Sequence, residues 1–178
     1  MKIFIASDIH GSAYYMKLAL KRAEEEKADK IILLGDIYNH GPRNPFPKDY
    51  NPTEVAALLN GIKDKLIVVK GNCDSDVDKL ISEFDFVEEV CLFSAGKTIL
   101  CTHGHIYNKD CPPTTKFDAV VYGHFHTGFI EKKDGTLYIN AGSVSLPKMD
   151  TAHSYIVIEG SGIYLKDLNG AVLDAAKL

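Results

Sequence analysis

The sequence of 178 residues predicts an α/β fold in which two β-sheets stack against each other with helices on the outside. Two observations lead to this prediction. The first half of the chain alternates apolar runs rich in branched residues with stretches of helical periodicity, and the second half is a series of short strands joined by tight turns. A hydrophobic content of 46% is enough to form the core of one domain. We therefore predict a single domain over residues 1–178.

The first half of the chain predicts βαβ units. Residues 3–7, 31–34 and 66–69 are short apolar runs typical of buried parallel strands. A helix is predicted over residues 12–27, and a second helix begins at Asn51, where a capping residue is followed by proline and then by an acidic third position. This order of strand and helix predicts helices packed on a sheet.

The second half contains seven predicted strands, several of which form hairpins. Lys133-Asp134-Gly135 and Gly160-Ser161-Gly162 are the turn signals that indicate this pairing. The strands are residues 87–93, 98–102, 119–122, 129–132, 137–140, 155–159 and 164–167. Between the two halves, the loop of residues 38–50 holds three of the seven prolines and is either surface structure or the wall of a site.

Composition and charge exclude several classes of protein. A formal net charge of -4 argues against a nucleic-acid duplex as partner, because such binding needs clustered cations. The apolar run of residues 3–6 is interrupted by Asp8, too early for a signal peptide or a membrane span, so we expect a cytoplasmic protein. Four cysteines without a C-x-x-C pair predict free thiols. Neither a G-x-G-x-x-G motif nor a P-loop is present, which excludes the common nucleotide-binding folds.

Ionisable and amide side chains follow five of the predicted strands. They are Asp8, His10, Asp36, Asn72, His103, His124 and His126. Because ligands collect beyond the carboxyl ends of strands in an open α/β sheet, we expect these side chains to converge. One D-x-H or H-x-H pair alone is more often a solvated turn or a packed core histidine. Five such clusters together instead form the oxygen and imidazole set that Mn, Fe, Co, Ni or Zn prefers.

These clusters resemble the motifs of a known superfamily. Asp8-Ile9-His10, Gly35-Asp36, Gly71-Asn72, His103-Gly104-His105 and Gly123-His124-Phe125-His126 are similar, in this order, to the five motifs of the calcineurin-like metallophosphoesterases. The longer stretches of residues 35–44, 71–74 and 142–148 resemble the small bacterial YfcE-like phosphodiesterases. The resemblance implies a four-layer αββα sandwich of two mixed β-sheets flanked by helices.

The resemblance also implies a metal-dependent phosphodiesterase with two divalent metal ions. Mn is the first expectation for the metal, and Ni, Fe, Co and Zn are further candidates. A hydroxide bridging the metals would attack a small phosphorylated substrate in line at phosphorus. The family further suggests a homo-oligomer. The implied ligands are Asp8, His10, Asp36 and His126 for the first metal, and Asp36, Asn72, His103 and His124 for the second, with Asp36 as the bridge.

Cys73 departs from the pattern of the superfamily. Many members have a histidine after the Gly-Asn, where it is thought to act as the general acid. A neutral thiol can donate a proton, but it lacks the positive charge of an imidazolium. Cys73 is therefore either a catalytic proton donor or a small apolar residue beside the metals.

Four further residues are candidates for the catalytic and substrate-binding groups. His105 is a catalytic candidate that either orients His103 or faces the substrate. Asn39, His40 and Arg43 are predicted to bind the substrate. The guanidinium fork of Arg43 suits a phosphate, although a surface cation on a loop is the alternative.

Two alternative functions remain open from the sequence, and the sequence argues against a third. Phosphomonoesterase activity is one, but the chain departs from the Gly-Asp-x-x-Asp-Arg-Gly and Gly-Asn-His-Glu motifs of the superfamily's protein phosphatases. A catalytically inert protein-interaction scaffold on the same fold is the second, although such relatives tend to lose ligands that are all kept here. A nuclease of the recombination-repair type usually carries extra domains and a basic surface, which this chain lacks.

Overall fold

Two mixed β-sheets pack face to face in the computed structural model, which describes residues 1–178. The first sheet has seven strands, in which four parallel strands are followed on one side by three antiparallel ones. In spatial order they are β12 (Val172–Lys177), β11 (Gly162–Asp167), β10 (Ser154–Glu159), β1 (Lys2–Ala6), β2 (Lys30–Leu33), β3 (Leu66–Val69) and β4 (Phe86–Val87).

The second sheet has five strands. In spatial order they are β5 (Val90–Ser94), β6 (Lys97–Cys101), β7 (Ala119–Tyr122), β9 (Thr136–Ala141) and β8 (Gly128–Lys133). β6, β7 and β9 run parallel, and the two edge strands pair antiparallel with their neighbours. β1, β2, β3, β6 and β7 are the five strands predicted to carry the metal-ligand motifs at their carboxyl ends.

Two helices cover the outer face of the first sheet, as the sequence predicts. Helix α1 (Ala13–Glu25) begins where the side chain of Ser12 accepts a hydrogen bond from the Tyr15 N–H. Helix α2 (Pro52–Asn60) begins in the same way at Asn51, which accepts from the Glu54 N–H. The helices pack with the sheet in one buried apolar cluster. Two short 3-10 helices, Lys63–Lys65 and Asp76–Leu80, lie in the connections.

The core between the sheets is one apolar cluster to which both sheets contribute. Ile5 and Ile32 from the first sheet and Val121 and Ile139 from the second are fully buried in it. Alternating residues of each strand face this layer, which fixes the register of both sheets. The fold class predicted from the sequence is therefore confirmed. The outer face of the second sheet is covered by the irregular segment 102–118, through Tyr107 and Phe117, rather than by a helix.

The structure corrects one predicted strand and adds one that was not predicted. Residues 87–93 do not form one strand, because β4 pairs with β3 in the first sheet and β5 pairs with β6 in the second. The chain crosses between the sheets at Glu88 and Glu89. Strand β12 is not predicted from the sequence, since its run of V-L-D-A-A-K lacks an alternating pattern. Neither helix is long and apolar enough to cross a membrane.

Candidate metal centre

The carboxyl ends of β1, β2, β3, β6 and β7 meet at one edge of the two sheets. All seven predicted metal ligands lie there, linked to one another by short contacts. Asp8, His10 and His103 are 0% exposed, and Asp36 and His126 are 3% and 2% exposed. Burial of so many polar side chains is costly unless they have partners, so this edge of the fold is the candidate functional site.

Three of these residues form the first group of the site. The Nε2 atoms of His10 and His126 lie 3.1 Å apart. Oδ1 of Asp8 lies 3.6 Å from His10 Nε2 and 3.3 Å from His126 Nε2. Three potential ligand atoms therefore face one point.

A second group lies beside the first. Nε2 of His103 is 3.0 Å from Oδ1 of Asn72 and 3.3 Å from Nδ1 of His124. The carboxylate of Asp36 lies between the groups, with Oδ2 3.8 Å from His10 Nε2 and Oδ1 3.5 Å from His103 Nε2. Each group therefore faces a different oxygen of Asp36.

Backbone carbonyls fix the orientation of three histidine rings. Nδ1 of His10 is 2.7 Å from the Asn39 carbonyl, and Nδ1 of His103 is 2.6 Å from the Leu34 carbonyl. Nδ1 of His126 is likewise 2.6 Å from the carbonyl of Leu146. Because a carbonyl only accepts hydrogen bonds, each Nδ1 carries a proton, and each Nε2 presents a lone pair to the site when the ring is neutral, which is the form that binds a metal.

The first group contains polar atoms that a cation would satisfy. When both rings are neutral, their facing lone pairs leave no proton to join His10 Nε2 and His126 Nε2, although these atoms are 3.1 Å apart. Two ligand atoms that each lie about 2.1 Å from one cation, at roughly a right angle to each other, are about 3 Å apart. Oδ1 of Asp8 is buried and accepts no hydrogen bond. The chemistry and spacing of these atoms fit a divalent metal ion.

The charge state of Asp8 agrees with this arrangement. Burial alone would raise the pKa of Asp8, but the positive charge that the neighbouring imidazoles of His10, His126 and His103 carry when protonated outweighs it and holds the pKa well below the ordinary value; a bound cation would supply that charge in their place. The other oxygen, Oδ2, accepts a hydrogen bond of 2.8 Å from the His124 N–H. Asp8 is therefore a carboxylate with one oxygen held by the backbone and one directed at the imidazoles.

Five of the seven predicted ligands have left-handed backbone conformations. Their φ values are 57° for Asp8, 49° for His10, 55° for Asp36, 64° for His124 and 62° for His126. Such conformations are unfavourable for residues with a side chain, and they persist where the surroundings hold them in place. The sharp turns direct side chains from successive positions towards the same centre.

Two glycines allow the loops of the site to approach one another. A Cβ atom on Gly71 would lie 3.0 Å from Cγ of Asp36 and closer still to its Oδ1. A Cβ atom on Gly123 would lie 2.5 Å from Oδ2 of Asp8 and would overlap the Ser7 hydroxyl. The absence of a side chain at both positions is therefore required by the packing of the two carboxylates.

Sequence reasoning missed three residues that support the ligands. The carboxylate of Asp74 accepts hydrogen bonds of 2.8 Å from the backbone N–H groups of Asp36, Ile37 and Gly71, and so joins the loops after β2 and β3. Asp74 directly follows the Gly-Asn-Cys motif, which is the signal that marks it. Ser143 and Ser145 are the other two, and their hydroxyls donate to the carbonyl of Asp8 over 2.7 and 2.9 Å.

A cavity of about 710 Å³ opens over the metal-ligand cluster. Its walls contain four of the predicted catalytic and substrate-binding residues, Asp36, Asn39, Arg43 and Cys73. Phe125 and Lys148 also line it, and sequence reasoning did not single them out. The complete lining is Asp36, Asn39, Gly41, Pro42, Arg43, Asn44, Asn72, Cys73, His124, Phe125, His126 and Lys148. The side chains of Arg43 and Lys148 form no salt bridge with a carboxylate of the protein, so both are free to attract an anion.

The environments of Cys73 and Asn39 are specific. Burial, followed by the nearby charge of Asp36, raises the pKa of the Cys73 thiol to about 12. The Cys73 N–H donates a hydrogen bond of 2.8 Å to Oδ1 of Asp36. Asn39 acts through its main chain on His10, and its side-chain oxygen accepts a hydrogen bond from the Gly41 N–H.

The structure does not bring His40 and His105 into the lining of the cavity. The ring of His40 packs against Phe46 and Tyr50, with centroids 4.3 and 5.5 Å away. His105 is exposed, and its ring centroid lies 5.3 Å from that of His103. His40 therefore belongs to an aromatic cluster within the loop, and His105 borders the site from outside.

The fold and the arrangement of the site are typical of metallophosphoesterases. The profile of the calcineurin-like phosphoesterase superfamily domain matches residues 1–162. The chain therefore belongs to the calcineurin-like phosphoesterase superfamily.

Individual members of the superfamily are similar to this chain over most of its length. The chain is 36% identical to phosphodiesterase YfcE of Escherichia coli strain K12 over 173 residues, which is 95% of this chain and 93% of the relative. The solved structure of the E. coli YfcE phosphoesterase superimposes with a TM-score of 0.95 at 32% identity and covers 99% of both chains. The probable metallophosphoesterase YsnB of Bacillus subtilis is 30% identical over 89% of this chain and 83% of its own.

Proposed function

We propose that this protein is a phosphodiesterase that works with two divalent cations, with Mn as the first expectation. The observation that carries the proposal is the position of Asp36, whose two carboxylate oxygens face two separate groups of imidazole and amide ligands. A carboxylate in this position is suited to bridge two metal ions. The 36% identity to a protein named phosphodiesterase supports the choice of reaction.

The two groups of ligands, one at each oxygen of Asp36, would each hold one of the two cations. Asp8, His10 and His126 would hold the first with one oxygen of Asp36. The second would be held by the other oxygen of Asp36 together with Asn72, His103 and His124. Bound cations there would polarise the phosphoryl oxygens and lower the pKa of a coordinated water to supply the nucleophile.

Other residues of the chain act on the substrate. Arg43 and Lys148 line the cavity without carboxylate partners and attract the negative phosphate. The Cys73 thiol lies beside Asp36, whose Oδ1 accepts a hydrogen bond of 2.8 Å from the Cys73 N–H, and a neutral thiol there can donate its proton to the leaving oxygen. Because it is a weak acid without charge, Cys73 favours esters whose leaving groups need little protonation, such as aryl or nucleotide-type esters.

The cavity favours a diester over a monoester as the substrate. A phosphodiester carries one charge and two organic groups, and a volume of about 710 Å³ accommodates both groups. Its walls contain neutral polar side chains, such as Asn39 and Asn44, beside the two cations.

The proposal is tested by metal analysis and a substrate screen. Protein purified without chelators is assayed for bound metal, and then for hydrolysis of bis(4-nitrophenyl) phosphate and 4-nitrophenyl phosphate with added Mn. We expect faster turnover of the diester, and we expect Asp36→Asn to abolish it by removing the charge of the bridge. Asp85→Asn is the matched control, because Asp85 is exposed and outside the site. Full turnover by Asp36→Asn would show that the role assigned to Asp36 is wrong.

A further inference from the structure

The cavity has one hydrophobic feature that the metal chemistry does not use. Phe125 is the only large hydrophobic side chain among the twelve residues of the lining, and 43% of its surface is exposed. The other side chains there are metal ligands, polar groups, cations, glycine, proline and cysteine. A phenylalanine ring left accessible in a polar cavity is informative, because burying that ring against a ligand would be favourable.

The position of Phe125 is fixed by its neighbours. Its N–H donates a hydrogen bond of 2.7 Å to the Gly123 carbonyl. The residues on either side, His124 and His126, are held in left-handed turns at φ values of 64° and 62°. The ring makes edge-to-face contacts with His124 at 5.1 Å and with Tyr122 at 6.2 Å between centroids. The accessible part of the ring is therefore preorganised before any ligand binds.

The surroundings of Phe125 restrict the chemistry of the ligand. The ring lies next to two predicted metal ligands, and the same cavity contains the unpaired cations of Arg43 and Lys148. A ligand that uses all of these features has an anionic phosphoryl group joined to a planar ring. Aromatic side chains contact such rings with little dependence on their identity, because every aromatic ring has a π-face.

We propose that Phe125 is a specificity-determining residue that contacts an aromatic ring of the substrate, so that the preferred diesters carry an aryl group or a nucleobase. This inference rests on the proposed phosphodiesterase function and adds to it the residue that recognises the ring of the substrate. An aryl ester and a nucleotide share a planar ring attached to a phosphoryl group, directly in the aryl ester and through a sugar in the nucleotide.

Binding of paired ligands to the Mn-loaded protein tests the inference without turnover. The first pair is phenylphosphonate and methylphosphonate, which differ in the ring alone. The second pair is uridine 5′-monophosphate and ribose 5-phosphate, which differ in the base. By titration calorimetry we expect wild-type protein to bind the ring-bearing member of at least one pair about tenfold more tightly, the size of one aromatic stacking contact. An advantage in the first pair identifies an aryl group, and one in the second identifies a nucleobase.

Variants of Phe125 and a matched control complete the experiment. Phe125→Ala is expected to remove the advantage of the ring and to leave the binding of methylphosphonate unchanged. Phe125→Leu keeps the packing against Tyr122 and should lose the same advantage, which separates ring contact from folding. Phe93→Ala is the control, because Phe93 is 75% exposed on β5 and does not line the cavity. It should retain the wild-type preference.

Two results would overturn the inference. One is equal affinity of the wild-type protein for both members of each pair, and the other is a ring preference that survives in both Phe125 variants. Hydrolysis of bis(4-nitrophenyl) phosphate is measured separately on the wild-type protein. Absence of a ring preference in a wild-type protein that still hydrolyses the diester rejects the role of Phe125 alone, whereas a lack of diester hydrolysis by the wild-type protein rejects the proposed function.

Discussion

Replacing Gly71 with alanine tests how tightly the carboxylate of Asp36 is held by the loop after β3. The added Cβ would lie 3.0 Å from Cγ of Asp36 and closer to its Oδ1 and to its backbone nitrogen. Gly71 has no left-handed φ, so alanine adopts its backbone conformation and the effect of the substitution is steric. The carboxylate must rotate away, and it then loses the hydrogen bond of 2.8 Å from the Cys73 N–H.

The expected cost follows from these two contacts. Overpacking of a filled site costs about 1–3 kcal/mol, and a hydrogen bond to a charged group contributes about 1.5–3 kcal/mol. We therefore expect Gly71→Ala to lower the free energy of unfolding by about 3–5 kcal/mol, measured by urea unfolding with a chelator present. Because the bridge is displaced, Mn affinity measured by calorimetry should fall by at least about 10–100-fold, the range for groups that orient metal ligands.

Gly61→Ala is the matched control for this prediction. Gly61 also has an ordinary φ of -64°, and a Cβ there would lie 3.4 Å from the nearest atom, the Leu58 carbonyl oxygen. Alanine at such a position should be neutral or should stabilise the protein by about 0.4–1 kcal/mol. If Gly71→Ala behaved like Gly61→Ala in both assays, the close contact between Gly71 and Asp36 would not limit the site, and this reasoning would be refuted.

Three further predictions concern proton donation, pH dependence and metal-linked stability. In a series of esters with different leaving groups, Cys73→His should raise turnover most for alkyl esters, because an imidazolium adds a positive charge that the thiol lacks. An equal or lower rate of the variant across the series would contradict the proposed role of Cys73. Burial alone would raise the pKa of Glu26, but Lys166 and the Tyr155 hydroxyl outweigh it and hold the pKa below the ordinary value of 4.5. Wild type should therefore be more stable than Glu26→Gln by a full, constant amount above pH 4.5, and this difference should shrink as the pH falls towards the folded-state pKa of Glu26. Denaturant unfolding at several pH values will measure the difference. A difference that does not change with pH would argue against the role of the Lys166 and Tyr155 contacts. Mn at about 100 times its dissociation constant should raise the free energy of unfolding of wild type by about 2.7 kcal/mol, and Asp36→Asn should lose most of this gain in the same unfolding assay.

The sequence was sufficient to predict where the site forms. Each ligand motif follows a short apolar run, and parallel strands place their carboxyl ends at the same edge of a sheet. For this reason Asp8, Asp36 and Asn72 could be placed together although they come from three separate strands. His103 and His124 belong to the second sheet, and their convergence with the first three depends on the face-to-face packing of the two sheets.

Other features could not be predicted because they depend on tertiary contacts. The split of residues 87–93 into β4 and β5 is decided by pairing with different sheets, which local propensity does not record. His40 was predicted to bind substrate from its place in a motif, yet its ring packs against Phe46 within the loop. Phe125 was named only as part of a ligand motif, and its accessibility in the cavity became visible only in the structure.

The contacts that orient the ligands also hold a backbone that is unfavourable by itself. A left-handed residue with a side chain costs about 1–3 kcal/mol, and five predicted ligands have this conformation. Asp74 fixes the turn at Asp36 through three backbone N–H groups, while Ser143 and Ser145 fix the carbonyl of Asp8. The His124 N–H holds Oδ2 of Asp8, and backbone carbonyls hold the Nδ1 atoms of His10 and His126, so Oδ1 of Asp8 and the two Nε2 atoms stay directed at the site. A cation that enters this site finds its ligands already in place, so its binding energy stabilises the fold rather than reorganising it.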